Sequence, residues 1–253
     1  VKLIRTTHQG RACWGLVDGD RVHLHDDPPW GDGFRVDAAR AVLPRAGLAL
    51  LAPVVPTKVV CVARNYRAHA AELGNEVPAE PLFFLKPPSS LLAPGGTVRR
   101  PPSVGRVEYE GELGVVIGRR MSAVDEADAL AHVFGCVPLV DVTARQLQKA
   151  LGHFTQAKGY DTFCPVGPVV ETELDAADVR LVTRKNGAVV QDGRTSLMVH
   201  GLAKLLSFIS NVMTLEPGDL VATGTPEGVG PLEAGDRLEV AIEGLEPLEI
   251  HVA

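Results

Sequence analysis

The stretch VEYEGELGVVIG, residues 107–118, sets three glutamates at alternate positions directly ahead of an apolar run. In an extended strand Glu108, Glu110 and Glu112 share one face, because side chains alternate with a period of two. The following LGVVIG reads as buried. Neighbouring carboxylates repel, and an ionised carboxylate removed from water without a partner costs several kcal/mol. Something positive belongs between them.

The pattern around this stretch is mostly strands. Candidates after residue 105 are 110–118, 136–142, 165–170, 178–185, 219–223, 236–243 and 246–252. Two helices interrupt them. One spans about 124–134 and is closed by Gly135 in a left-handed conformation; the other spans about 197–213, with Thr195 or Ser196 as N-cap. Its apolar positions Leu202, Leu205, Leu206 and Ile209 recur at helical spacing. Strands outnumber helices and do not alternate with them, which argues against a doubly wound sheet. The expected fold is β-rich α+β, a sandwich or rolled barrel with peripheral helices. Residues 1–52 read as a small N-terminal domain with a turn at Asp18-Gly19-Asp20 and a short helix over Asp37–Leu43. LAPVVPTK, 51–58, forms a linker, and the main domain is expected over 57–253.

The chain has 253 residues, 45% hydrophobic and 22% charged, with a formal net charge of −6. That length accommodates a substantial core. The acidic balance argues against nucleic-acid or anionic-membrane partners, which require clustered Lys and Arg. No window reaches the roughly 18 apolar residues of a membrane span. VKLIRTTHQGR at the start lacks the features of a secretory signal, so the cytoplasm is the expected compartment. The four cysteines, Cys13, Cys61, Cys136 and Cys164, show no regular spacing, and a disulfide framework is not expected.

Four segments carry candidate chemistry. Glu110 and Glu112 share a strand face, and Asp141 ends a second apolar run, CVPLVD. Three oxygen donors without nearby Cys or His suit a hard cation such as Mg²⁺ or Mn²⁺; the competing reading is a solvated strand face. In NYRAHAAE, His69 and Glu72 are neighbours on a helical turn, and the carboxylate can charge-balance the imidazole as a general base, with Asn65 as a possible cap. The competing reading is an incidental surface pair. Lys158, in the loop-like FTQAKGYDTFCPVGP, offers an ammonium to an anionic substrate, or is simply solvated. ATGTPEGVG, 222–230, offers backbone N–H groups and the Thr223 and Thr225 hydroxyls as a carboxylate cradle, or is a Gly/Pro hairpin. It lacks the phosphate-loop pattern.

Together these segments resemble the fumarylacetoacetate hydrolase family. The match runs in order through ARNYRAHAAE, LFFLKP, YEGELGVVIG, DVTARQLQ, AKGYDTFCPVGP, NGAVVQ and ATGTPEGVGPLEAGD, essentially all of 57–253. The resemblance implies a mixed β-sandwich roll holding one divalent cation, usually as a homodimer. It places the metal ligands at Glu110, Glu112 and Asp141, and a water-activating dyad of a lid at His69 and Glu72. It places substrate contacts at Arg145 and Gln148, the loop lysine at Lys158 and the TGTP threonine at Thr225. Glu108 falls outside the ligand set. Two departures, Val140 before the metal-binding Asp and Gln146 where many members read Asp, bear on the hydrogen bonding around the ligands. The implied reaction is hydrolytic C–C cleavage of an acylpyruvate or related 2-oxo dicarboxylate through a stabilised pyruvate enolate. Isomerisation of 2-hydroxyhepta-2,4-diene-1,7-dioate and decarboxylation of oxaloacetate, activities of aromatic-compound catabolism, are alternatives from the same site. A cation-stabilised binding protein without turnover is the alternative of another class.

Overall fold

Strand Gly111–Ile117 is buried at every position. The reason is that both its faces are covered and both its edges are paired, which is what its unbroken apolar run requires. It pairs antiparallel with Val133–Val140 on one side and with Leu220–Ala222 on the other. These three strands lie inside a sheet that has ten strands among the described residues. The computed structural model describes residues 1–30 and 34–253. From the central strands the sheet continues through Val59–Ala63, parallel to Leu220–Ala222, and ends at Leu82–Lys86.

In the other direction the sheet runs through Val170–Glu171 into the N-terminal segment. Lys2 pairs with Glu171 and Leu3 with Val170, and the meander Lys2–His8, Arg11–Asp18, Arg21–His25 and Ala41–Pro44 forms the far edge. These four N-terminal strands therefore extend the main sheet. They also bury a small core of their own, in which Ile4, Cys13, Val22 and Leu24 meet Val169.

A sheet of five strands among the described residues, Ala188–Arg194, Arg180–Lys185, Arg237–Ile242, Leu248–Val252 and Thr97–Val98, faces the first. Alternation assigns the two faces of the central strand different tasks. Leu113, Val115 and Ile117 pack with Leu181, Leu238, Val240, Ile242 and Ile250, closing the core between the sheets. Val116 belongs to a second cluster with Val59, Cys61, Phe84 and Cys164. Glu112 has the parity of Val116. The acidic end of the strand thus opens on the face turned away from the five-stranded sheet. All four cysteines are buried and free. No helix of the described residues is long and apolar enough to cross a membrane.

Several expected elements are shorter or different in kind. The helix over 197–213 is confined to Leu202–Val212, and its N-cap is Gly201. Thr195 cannot cap it, because its hydroxyl already donates to the Ala176 carbonyl and accepts from the Val179 amide. The helix over 124–134 is one α-turn, Glu126–Ala129, with a 3-10 turn at Leu130–His132. Its C-terminal part is claimed by strand Val133–Val140 instead. Gly135 is a strand residue, not a left-handed cap: a Cβ there would lie 2.5 Å from the Glu171 carbonyl of the adjoining strand. The segment 37–43 is a 3-10 turn, Val36–Ala38, followed by edge strand Ala41–Pro44. The strand over 165–170 survives as the short pieces Cys164–Pro165 and Val170–Glu171.

Candidate active site

The antiparallel ladder explains why carboxylates distant in sequence converge. Gly111 pairs with Val140, and the Asp141 amide donates to the Glu110 carbonyl at 2.8 Å, so Asp141 stands beside Glu110. Period two carries Glu112 to the same place. Glu110, Glu112 and Asp141 offer carboxylate oxygens within 4.8 Å of one another, and all three residues are buried. Glu108 departs from the simple alternation. The chain changes sheets at Glu110, so Glu108 lies in Val107–Tyr109, which pairs with Thr143–Ala144 and Gly230–Pro231.

Cations hold three of these four carboxylates. Glu108 accepts from Arg106 and Arg145, each at 2.6 Å. Glu110 accepts from the Arg145 guanidinium and, at 2.7 Å, from Lys158 Nζ. Asp141 accepts from Lys158 Nζ and Lys86 Nζ, both at 2.5 Å. Burial pushes the Glu110 carboxyl up, but Lys158 and Arg145 outweigh it and hold the group well below the usual carboxylate range. Lys158 is raised in return: burial lowers its pKa, and Asp141 and Glu110 more than reverse that.

Glu112 is different. Among the described residues its one hydrogen bond is from the Gly224 amide, at 2.7 Å. Burial first, then Asp141 and Glu110, drive its carboxyl well above the ordinary value. A buried carboxylate facing two others, with no ion pair of its own among the described residues, is the charge pattern a bound cation resolves. The donor set is all oxygen and hard, so Glu110, Glu112 and Asp141 fit Mg²⁺ or Mn²⁺.

The helix Arg67–Glu72 carries the candidate base. His69 Nδ1 lies 3.5 Å from Glu72 Oε2, close enough for ion pairing but without a formed hydrogen bond. Burial lowers the His69 pKa against the raising effect of Glu110, and Arg145 and Lys158 lower it further, so the imidazole is held neutral. Glu72 also accepts from the Gly228 amide at 3.1 Å. The loop 223–228 is therefore a carboxylate cradle for two of the protein's own acids: Gly224 holds Glu112 and Gly228 holds Glu72. Asn65 does not cap the helix; the N-cap position is Tyr66.

A cavity of about 310 Å³ opens onto these groups. His69, Glu110, Glu112, Arg145, Gln148, Lys158 and Thr225 line it, with Arg64, Phe154 and Leu73 among its other walls. Asp141 and Glu72 are outside the lining and meet it through Lys158 and His69. Lys158 is not on a solvated loop. It ends the helix Thr155–Lys158, is buried, and stands 5.0 Å from the Phe84 ring centroid. Arg145 is committed to Glu108, Glu110 and Gln148. Thr225 donates to the Gly111 carbonyl and accepts from Gln191.

Sequence reasoning assigned no role to Lys86, Glu108 or Gln191. Lys86 ends strand Leu82–Lys86, and its ammonium is shared among Asp141, the Phe163 carbonyl at 2.7 Å and the Val142 carbonyl. The signal available was a lysine with the parity of buried Phe84 in LFFLK. Removing one partner of a buried ion pair costs roughly 3–5 kcal/mol. Lys86→Met is therefore expected to lower urea-unfolding stability by about that amount, whereas a loss below ~1 kcal/mol would show that the pair is dispensable.

A family model described as Fumarylacetoacetate (FAA) hydrolase C-terminal matches residues 58–253. The chain belongs to this family of enzymes, and a second model, Rv2993c-like, N-terminal, matches residues 1–53. Among its relatives, a mitochondrial oxaloacetate tautomerase of Arabidopsis thaliana is 44% identical over 202 residues, 78% of this chain and 91% of the relative. Among solved structures, 2-hydroxyhepta-2,4-diene-1,7-dioate isomerase from Mycobacterium marinum is 40% identical with a TM-score of 0.90, covering 100% of this chain and 98% of its own. Fumarylpyruvate hydrolase from Pseudomonas aeruginosa, solved in complex with Mn²⁺ and pyruvate, is 32% identical with a TM-score of 0.74, over 81% of this chain and 91% of its own.

Proposed function

We propose that the chain is a divalent-metal-dependent hydrolase of acylpyruvates, cleaving the C–C bond of a 1,3-dicarbonyl to release pyruvate. The observation that carries this reading is the joint lining of one cavity by His69, with Glu72 behind it, and by Glu110 and Glu112 of the acidic cluster. At about 310 Å³ the cavity suits a small organic acid. The Mn²⁺ and pyruvate in the Pseudomonas aeruginosa relative support both the cation and the product.

Held by Glu110, Glu112 and Asp141, Mg²⁺ or Mn²⁺ would supply Lewis acidity toward the adjacent carboxylate and 2-oxo oxygens of the substrate. His69 takes a proton from water as the oxygen adds to the carbonyl remote from the carboxylate. Glu72 offsets the imidazolium charge. The bond between that carbonyl and the methylene breaks, and its electron pair passes to the pyruvate fragment as an enolate. The Lys158 ammonium, buried beside Glu110 and Asp141, offsets the enolate charge. His69 returns its proton to the methylene carbon, so that one water and one acylpyruvate become pyruvate and a second carboxylic acid.

A second reading has its own support in the Arabidopsis thaliana relative: the same base could interconvert the keto and enol forms of a 2-oxo dicarboxylate without cleavage. A panel of fumarylpyruvate, acetylpyruvate and enol oxaloacetate, with saturating Mg²⁺ or Mn²⁺, separates the two. Pyruvate formed in equal amount with enol loss from fumarylpyruvate or acetylpyruvate is the hydrolase result, whereas pyruvate from oxaloacetate would report loss of CO₂. Enol loss without pyruvate from any of them sinks cleavage and leaves the tautomerase.

The base also fixes the direction of pH dependence. His69 must be neutral to accept a proton, and its environment lowers its pKa from the ordinary value. The acid limb of kcat/KM should therefore fall below the reference histidine value of about 6.5, with activity lost as the pH drops through it. An acid limb centred above about 7 would assign the profile to another group.

A further inference from the structure

We infer that Asn65 is a positioning residue that sets His69 against the acidic cluster; the inference rests on the assignment of His69 as the base. Asn65 is almost completely buried, and its side-chain amide is fully engaged. Nδ2 donates to the Thr223 carbonyl at 2.8 Å and to the His200 carbonyl at 3.1 Å. Oδ1 accepts from the His200 amide at 2.9 Å, and the Asn65 carbonyl accepts from the Val199 amide at 2.7 Å. One residue thereby joins the start of the base helix to two separate segments of chain.

The joint has a backbone signature. Arg64, immediately before it, has φ of 57°, in the left-handed region that non-glycine residues avoid. Such a conformation persists when its surroundings over-determine it. The four bonds of Asn65 do so. Gly224 complements the fit: its φ is +99°, and a Cβ there would come within 2.8 Å of Asn65 Cβ. A side chain at 224 would therefore force the helix and the loop apart.

The loop that Asn65 grips is the one that holds the acids. Thr223 receives Asn65, Gly224 donates to Glu112, Thr225 donates to the Gly111 carbonyl, and Gly228 donates to Glu72. The base helix is thus fastened to this loop near its first turn by Asn65 and at its end by Glu72. Glu72 is partly exposed, whereas the Asn65 contact is dry, so Asn65 is the fixed end. A displaced base costs about 10²-fold in rate even when binding is intact.

Asn65→Ala and the milder Asn65→Ser are compared with wild type, alone and combined with His69→Ala. Two readouts apply. In the Mn²⁺-loaded protein acting on fumarylpyruvate, kcat should fall on the order of 100-fold with KM changed less than about threefold. In the His69→Ala background the Asn65 change should add less than about threefold, because it acts through a base no longer present. A full additional loss in that background would overturn the inference. Independently of turnover, amide exchange at Ala70 and Leu73 should quicken at least tenfold while exchange in strand Gly111–Ile117 stays at its wild-type rate, the helix loosening alone. Unchanged exchange in the helix, or uniform loosening of helix and strand, overturns it; Asn65→Ser supplies both readouts if Asn65→Ala does not fold. If wild type and His69→Ala turn over equally, it is the assignment of the base that fails, and the exchange readout still decides whether Asn65 fastens the helix.

Discussion

Glu112→Gln should leave the metal-free protein at least as stable as wild type and remove its response to Mg²⁺ or Mn²⁺. The first half follows from charge. Glu112 is the buried acid of the cluster without an assigned cation, and burial together with Asp141 and Glu110 disfavours its ionised form. A glutamine carbonyl can still accept from the Gly224 amide while removing the like-charge repulsion. The second half follows from ligand count. A metal at about 100 times its Kd stabilises the folded state by roughly 2.7 kcal/mol, and the variant should show little of that shift and negligible turnover. Thermal melts with and without metal, beside calorimetric titration, read both halves. A wild-type metal response in Glu112→Gln would remove Glu112 from the ligand set.

The second large effect is expected at His69. His69→Ala should reduce kcat for acylpyruvate cleavage by about 10²–10⁴-fold, the usual contribution of a positioned general base. Metal affinity should change by less than about threefold, because the imidazole is not among the converging oxygen donors. This split between turnover and metal binding distinguishes a base from a ligand. Hydrolysis near the wild-type rate would show that another group activates the water.

How far the sequence discloses this arrangement depends on the distance over which each feature is determined. Strand Gly111–Ile117 is legible because a continuous apolar run after alternating glutamates has few other uses in a chain rich in short strands. Glu110 and Glu112 follow from strand periodicity, and Asp141 from its place at the end of the neighbouring run. Glu108 is where periodicity stops serving, because the chain leaves one sheet for another at Glu110 and turns Glu108 into an anchor for Arg145. Lys86 meets Asp141 across 55 residues of sequence, and a strand lysine gives no sign of which end of a sheet opens onto acids. Asn65 misleads for a related reason. An Asn ahead of a helix is a natural cap, and its long-range bonds to 200 and 223 exist only once the loop has closed. Thr195 repeats the lesson: local chemistry permits a cap, and tertiary contacts take the hydroxyl elsewhere. Arg145 and Gln148 are legible only through family resemblance, and Thr225 through its glycine-rich loop as well; all three lie on the cavity wall.

The most direct test of the metal-dependent acylpyruvate reading is pyruvate release from fumarylpyruvate by protein stripped with a chelator, before and after Mn²⁺ is restored. Negligible release is expected from the stripped protein and, on restoration, one pyruvate for each fumarylpyruvate consumed. Equal release with and without the metal, or none under either condition, would rule out metal-dependent cleavage.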